Sequence, residues 1–149
     1  MLAFSPVPIE DFEEVFQLTK LGLHDFVDAV FGWDDDMQRR RIRDEYEWCW
    51  MHWVTLHDNR IGLVCFKPYA QALHVHLLLL YPQWQRQGLG SQIMGMLHAQ
   101  AALEQRDITL SAFRVNTAAV ALYRKLGYQV ESEEPDFLLF RRTNKQESL

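Results

Sequence analysis

The stretch Tyr81-Pro82-Gln83-Trp84-Gln85-Arg86-Gln87-Gly88-Leu89-Gly90-Ser91 constrains this chain more than any other. An apolar segment, Leu73 to Leu80, precedes it, and an apolar helical pattern, Ile93 to Leu103, follows. A glycine-rich turn therefore leaves a strand and opens a helix. Free N–H groups at a helix start point outward, and the helix dipole favours negative charge there. Gly88 and Gly90 let main chain approach a ligand closely. The turn reads as an anion cradle built from backbone, suited to a pyrophosphate.

The chain has 149 residues, enough for one domain (1–149) with a real core. Its net charge of −5 argues against a nucleic-acid partner, which would want a basic face. The same charge suits a cationic substrate such as an amine. Cys49 and Cys65 lie in no metal-ligand or CxxC spacing and read as buried thiols in a reducing compartment. No metal site is expected. The N-terminus has no basic flank or long apolar run, and the run Leu77 to Leu80 is far too short for a bilayer. A soluble, cytoplasmic protein without a membrane partner is expected.

Leu2 to Phe4 reads as a short strand stopped by Pro6 and Pro8. Phe12, Val15, Phe16 and Leu18 fit a helical face, with Gly22 tolerated or marking a break. Asp34 to Asp36 offer an N-cap for a polar second helix, Met37 to Glu47, whose Arg39, Arg40, Arg41 and Arg43 read as a solvated face. Strand propensity rises from Trp50 to Leu56, His57 to Arg60 form a hairpin turn, and Ile61 to Phe66 return as a strand that Pro68 ends. Gly62 sits where backbones approach closely. The continuous apolar character of Leu73 to Leu80 predicts burial on both faces. Leu89, Ile93, Met96, Leu97 and Ala101 share a helical face, and Ile108 to Phe113 form the next strand, parallel to the one before. Asn116 caps a helix over Thr117 to Leu126, and Gly127 stops it. Tyr128 to Val130 and Phe137 to Phe140 pair last, and the polar tail Arg141 to Leu149 is expected to fray.

Two segments carry a family resemblance. Gln85-Arg86-Gln87-Gly88-Leu89-Gly90 resembles the Gln/Arg-x-x-Gly-x-Gly/Ala pattern of the GCN5-related N-acetyltransferase (GNAT) superfamily. Asn116-Thr117-Ala118-Ala119-Val120-Ala121-Leu122-Tyr123-Arg124-Lys125-Leu126-Gly127-Tyr128 is similar to the family's N-x-x-A-x-x-x-Y-x-K-x-G-F/Y segment. The specific part is Leu73 to Tyr128; the first 70 residues match in layout only. The resemblance implies an α/β fold: a mixed, mostly antiparallel sheet with splayed parallel central strands around a V-shaped cleft, and flanking helices. It implies acetyl-CoA as donor and a primary amine as acceptor, attacked directly in a ternary complex. Backbone groups of Leu78, Leu79 and Leu80 would pair with pantetheine. The amides of Gln85, Arg86, Gln87, Gly88, Leu89, Gly90 and Ser91 would hold the pyrophosphate. Asn116, Ala119 and Tyr123 would line the coenzyme. Dimers are common in the family, so a homodimer is among the allowed states.

Amine acetylation requires a neutral amine, a donor for the oxyanion and a proton for the leaving thiolate. From spacing alone Tyr123 reads as a core aromatic on an amphipathic helix; the resemblance points it at the coenzyme sulfur as the acid. Asn116 is both an N-cap and a pantetheine contact. The base is less specified. His74 and His76 share strand parity, so both face one side of the sheet, where either could accept a proton; either also reads as a structural histidine. Trp33, Asp34 to Asp36, Glu45 and Glu133 to Asp136 fall on substrate-facing elements and would form an acidic, aromatic rim suited to a cation, or else solvated loops. A small-molecule amine is the first reading of the acceptor. A protein acetyltransferase, N-terminal or lysine, is the second, although Ser111 stands near the position of an expected glutamate. A CoA-binding sensor without turnover is the third.

Overall fold

Phe12, Val15, Phe16 and Leu18 do form a helical stripe, and the other periodicities likewise become regular elements. In a computed structural model that describes residues 1–144, these elements are β1 (Leu2–Pro6), α1 (Phe12–Phe31), α2 (Asp35–Glu45), β2 (Met51–Leu56), β3 (Asn59–Tyr69), β4 (Ala72–Leu80), α3 (Leu89–Leu103), β5 (Asp107–Phe113), α4 (Thr117–Lys125), β6 (Gln129–Glu133) and β7 (Phe137–Arg142). The strands hydrogen-bond in the order β1-β2-β3-β4-β5-β7-β6. All the described ladders are antiparallel except β4 with β5, which is parallel from Ala72↔Asp107 to Val75↔Leu110. Arg141 and Arg142, expected in the tail, end β7, and Asn144 N–H donates to Asp107 at 2.8 Å; residues 145–149 of the expected tail lie outside the described residues.

The chain groups into two compact units. The first comprises Met1–Cys65 with Leu77–Gln87, the second Phe66–His76 with the chain from Gly88 onward. The core of the first unit joins Val15, Phe16 and Leu18 of α1 to Trp53, Leu63, Cys65, Leu77 and Leu79 of the strands. Trp53 is 2% exposed and its indole N–H donates to Asp11 at 2.9 Å, so its one polar atom is satisfied. The α2 arginines are not merely solvated. Arg39 stacks over Phe16 at 4.1 Å and donates twice to Glu13, and Arg43 lies over Phe12 at 4.9 Å. In the second unit Leu89, Ile93, Met94, Leu97 and Ala101 of α3 are buried. Met94, rather than the expected Met96, completes that face.

Several expectations need correction. Gly22 does not break α1, which runs on to Phe31; a Cβ at Gly22 would stand 2.8 Å from Leu79 Cδ2, so the residue serves close packing. Pro68 does not end β3. The β2 ladder stops at Met51↔Cys65, so beyond Cys65 no donor is needed on that edge and a proline is tolerated. The hairpin turn is only His57-Asp58, both with positive φ (49° and 68°), the left-handed form that suits a two-residue loop. β4 is not buried on both faces: Leu73, Val75, Leu77 and Leu79 are buried, while His74, His76, Leu78 and Leu80 are half-buried. Cys65 is a buried thiol, but Cys49 is exposed.

Candidate active site

In the first unit β4 ends at Leu80 against β3. Gly62 makes this possible: a Cβ there would lie 2.2 Å from the Leu79 carbonyl oxygen. Tyr81 N–H donates to the Ile61 carbonyl at 3.0 Å, extending the contact by one residue. A short 3-10 turn, Pro82–Trp84, follows. Gln85 Nε2 then donates back to the Leu80 carbonyl at 2.9 Å, and Gln87 Nε2 donates to the Gln83 carbonyl at 2.9 Å. These glutamines fold the loop onto the strand end. The pattern of the motif contains Gln85, but its bond to Leu80 was not legible in sequence.

Gly88 caps α3 with φ 77°, a left-handed conformation costly for any residue with a Cβ. No side chain caps this helix, and Gln92 N–H to the Gly88 carbonyl is its opening bond. By helix geometry the N–H groups of Leu89, Gly90 and Ser91 have no intrahelical acceptor. A Cβ at Gly88 would meet nothing within 4 Å, and one at Gly90 would make an ordinary contact with Leu122 Cδ2 at 3.7 Å. Neither glycine is therefore required by packing within the protein itself. Gln85 to Gly88 are exposed, Leu89 is buried, and Gly90 and Ser91 are half-buried. An uncapped, open helix start fits a phosphate group.

In the second unit Asn116 is the N-cap of α4, its side-chain oxygen accepting from Ala119 N–H at 3.2 Å. Asn116 and Ala119 are joined by that bond at the first turn of the helix. Tyr123, two turns on, is half-buried and packs edge-on against Tyr128 at 5.6 Å and against Phe140 at 5.9 Å. Burial raises its pKa, so the phenol keeps its proton through the neutral range. A core aromatic and a proton donor are both consistent with that environment.

His74 and His76 stand together as their parity predicts, ring centroids 4.7 Å apart and nearly perpendicular. They line a cavity of about 730 Å³. His74 Nδ1 lies 2.7 Å from Thr109 Oγ1, a partner placed by the parallel register His74↔Thr109. Sequence reasoning missed Thr109, because only the register reveals it. Burial lowers the pKa of His74, with Lys67 adding to the effect. Burial, then His74, then Lys67 bring His76 down to about 4. Both rings are thus neutral near pH 7, able to accept a proton but weak as bases.

Several of the residues read as an acidic rim are engaged in local structure. Asp34 accepts from Met37 N–H as the cap of α2, Asp35 accepts from Trp33 Nε1 and pairs with Lys20, Glu45 pairs with Arg41, and Glu133 pairs with Arg114. Among the described residues no group of three or more side chains could hold a metal, and no helix is long and apolar enough to cross a membrane.

A glycine-opened helix follows a strand, and an asparagine-capped helix carrying a tyrosine comes after it. Residues 49–130, more than half of the chain, match the family model described as an acetyltransferase (GNAT) domain, and the chain belongs to that family of acetyltransferases. Solved structures share the fold. The paia N-acetyltransferase from Thermoplasma acidophilum, in complex with coenzyme A, superposes with TM-score 0.75 at 14% identity, covering 96% of this chain and 99% of that one. An acetyltransferase from Thermus thermophilus gives 0.73 at 19% identity, covering 95% and 96%. The ribosomal-protein-S18-alanine N-acetyltransferase from Escherichia coli gives 0.69 at 17% identity, covering 100% and 99%. Among curated proteins no sequence matches this one.

Proposed function

We propose that residues 1–149 act as one N-acetyltransferase domain that moves the acetyl group of acetyl-CoA to the primary amine of a small molecule by direct attack. The observation that carries this reading is the open start of α3, where Gly88 at φ 77° presents three N–H groups without intrahelical acceptors. Those amides, with the loop from Gln85, bind the pyrophosphate. The Leu78 to Leu80 backbone orients the pantetheine arm, and Asn116 and Ala119 lie along it. Tyr123, protonated at neutral pH, supplies the proton that the departing thiolate takes. His74 and His76 are the candidate proton acceptors for the amine; with pKa values below the usual histidine range, they would have to pass that proton on to water. Acetyl-CoA supplies the acyl group, and no metal is required by this chemistry.

Gly88→Asp tests the cradle. A side chain at positive φ and a carboxylate beside the phosphates should weaken coenzyme A binding tenfold or more, read by calorimetry. Unchanged affinity would remove the cradle. An acceptor panel monitored by free-thiol release then tests the transfer. A second reading, acetylation of a protein N-terminus, draws support from the structural likeness to the ribosomal-protein-S18-alanine N-acetyltransferase over the full chain. Thiol release with peptides and with no small amine would select it. Coenzyme binding with no release from any acceptor would favour a sensor.

A further inference from the structure

We infer that the cavity beside Tyr81 seats an apolar primary amine, with its hydrocarbon on Leu18, Leu21 and Tyr81 and its nitrogen at Glu14. This deepens the proposed function and rests on it for the identity of the reaction, and it puts Glu14 beside the nitrogen in place of His74 and His76, which line a different cavity. The cavity holds about 680 Å³ and lies wholly in the first unit, between α1 and the residue that follows β4. Such a volume suits a small molecule.

Position is the first support. Tyr81 directly follows Leu80, the last of the three residues proposed to orient the pantetheine arm. Its N–H is anchored on the Ile61 carbonyl at 3.0 Å. An acceptor resting on Tyr81 therefore stands one residue from the strand end assigned to the donor.

The lining chemistry is the second. Leu18 is 1% exposed and forms a floor, while Leu21 is 59% exposed, a large apolar side chain held at the edge of the cavity. The half-buried Tyr81 ring closes another side. Burial raises the Tyr81 pKa, the nearby Glu14 charge adds to this, and Arg60 opposes it, so the phenol is neutral and offers no competing charge.

The third support is the state of the polar groups. Glu13 already accepts three bonds: Arg39 Nε donates to Oε1 at 3.2 Å, and Arg39 Nη2 and Gln17 Nε2 donate to Oε2. Lys20 is spent on Asp35 at 3.0 Å. Glu14 differs. Arg60 donates to its Oε2, and Arg60 is itself fixed by stacking on Trp53 at 4.1 Å and by Asp11 at 3.4 Å. A carboxylate has two oxygens and about four acceptor directions. Glu14 is thus oriented by one bond and retains acceptor capacity for a ligand N–H. An ammonium or amine matches it, a carboxylate does not, and the surrounding leucines favour an alkyl or arylalkyl body.

Binding of ethylamine, butylamine, hexylamine and uncharged hexanol to the full chain, by calorimetry with and without coenzyme A, tests this. Affinity should rise roughly fourfold per added methylene as apolar surface is covered. Hexylamine should bind at least tenfold more tightly than hexanol. Glu14→Gln should abolish that preference, and Leu21→Asp, at an exposed site that tolerates the change, should flatten the chain-length dependence. Affinity independent of chain length, equal binding of hexanol and hexylamine, or binding confined to peptide N-termini would overturn the inference. If Glu14→Gln fails to fold, the alcohol comparison and Leu21→Asp still decide. Hexylamine binding without coenzyme binding would sink the transferase reading and leave the cavity; coenzyme binding with no amine preference would do the reverse.

Discussion

Replacing a glycine by alanine should have opposite consequences at Gly62 and Gly95, and the structure sets both signs. At Gly62 the new Cβ would lie 2.2 Å from the Leu79 carbonyl oxygen, 3.2 Å from the Leu79 carbonyl carbon and 3.0 Å from Leu80 Cδ2. An ordinary carbon–oxygen contact is ~3.3 Å or more, so the clash is about 1 Å deep. The neighbour is main chain in a paired strand and cannot swing aside. Overpacking of this kind costs about 1–3 kcal/mol or more. The alanine recovers about 0.4–1 kcal/mol by restricting the unfolded chain. A net loss of about 2 kcal/mol is expected, a fall in Tm of roughly 4–8 °C for a chain this size. Gly95 lies inside α3, where a Cβ would meet nothing within 4 Å. There alanine should stabilise by about 0.5–1 kcal/mol through helix propensity. Thermal melts and urea titrations of both variants measure the difference, and calorimetry with coenzyme A adds a functional arm. Gly62→Ala should also weaken the coenzyme, because relief must displace Leu79 and Leu80. Equal melting of Gly62→Ala and wild type, or shifts of the same sign in both variants, would refute the reasoning.

Other outcomes are equally definite. Tyr123→Phe should lower kcat by about 10²-fold or more while leaving coenzyme affinity near wild type, the split expected of a general acid; wild-type turnover would leave Tyr123 a packing residue. Asn116→Ala should cost about 1 kcal/mol of stability through loss of the α4 cap, and Asn116→Ser should restore most of it; a coenzyme defect that persists in the serine variant would separate binding from capping. His98 has its pKa brought down to about 4, chiefly by burial and then by Arg142, beside the Tyr128 hydroxyl at 2.8 Å. Below pH ~6.5 the unfolded chain binds a proton there that the folded chain refuses, so stability falls as pH drops from 6.5 to 4, by on the order of 3 kcal/mol for this group. His98→Gln should flatten the urea midpoint across that window; an unchanged slope would remove His98 as its source. A pH–rate limb that survives both His74→Ala and His76→Ala would exclude the pair as bases.

Local pattern made most of the elements legible from the chain alone. Helical spacing, the strand-to-helix turn at Gly88 and the asparagine start at Asn116 are properties of consecutive residues, set by backbone stereochemistry and by which N–H groups a helix leaves unmatched. The family followed from the same two segments. Other features depend on partners far apart in sequence, and only the tertiary structure decided them. Pro68 stays in a strand because β2 has already ended. Gly22 stays in a helix because Leu79 packs against it. His74 finds Thr109 through a parallel register, and Glu14 finds Arg60, 46 positions away, through the packing of α1 on the first sheet strands. Of the acidic residues read as a substrate rim, Asp34 caps a helix and Asp35, Glu45 and Glu133 stand in ion pairs, because charge in a sequence does not say which cation it will meet. The cradle proposed for the donor is a local conformation and could be read; the pocket proposed for the acceptor needs Tyr81 brought against α1 and could not.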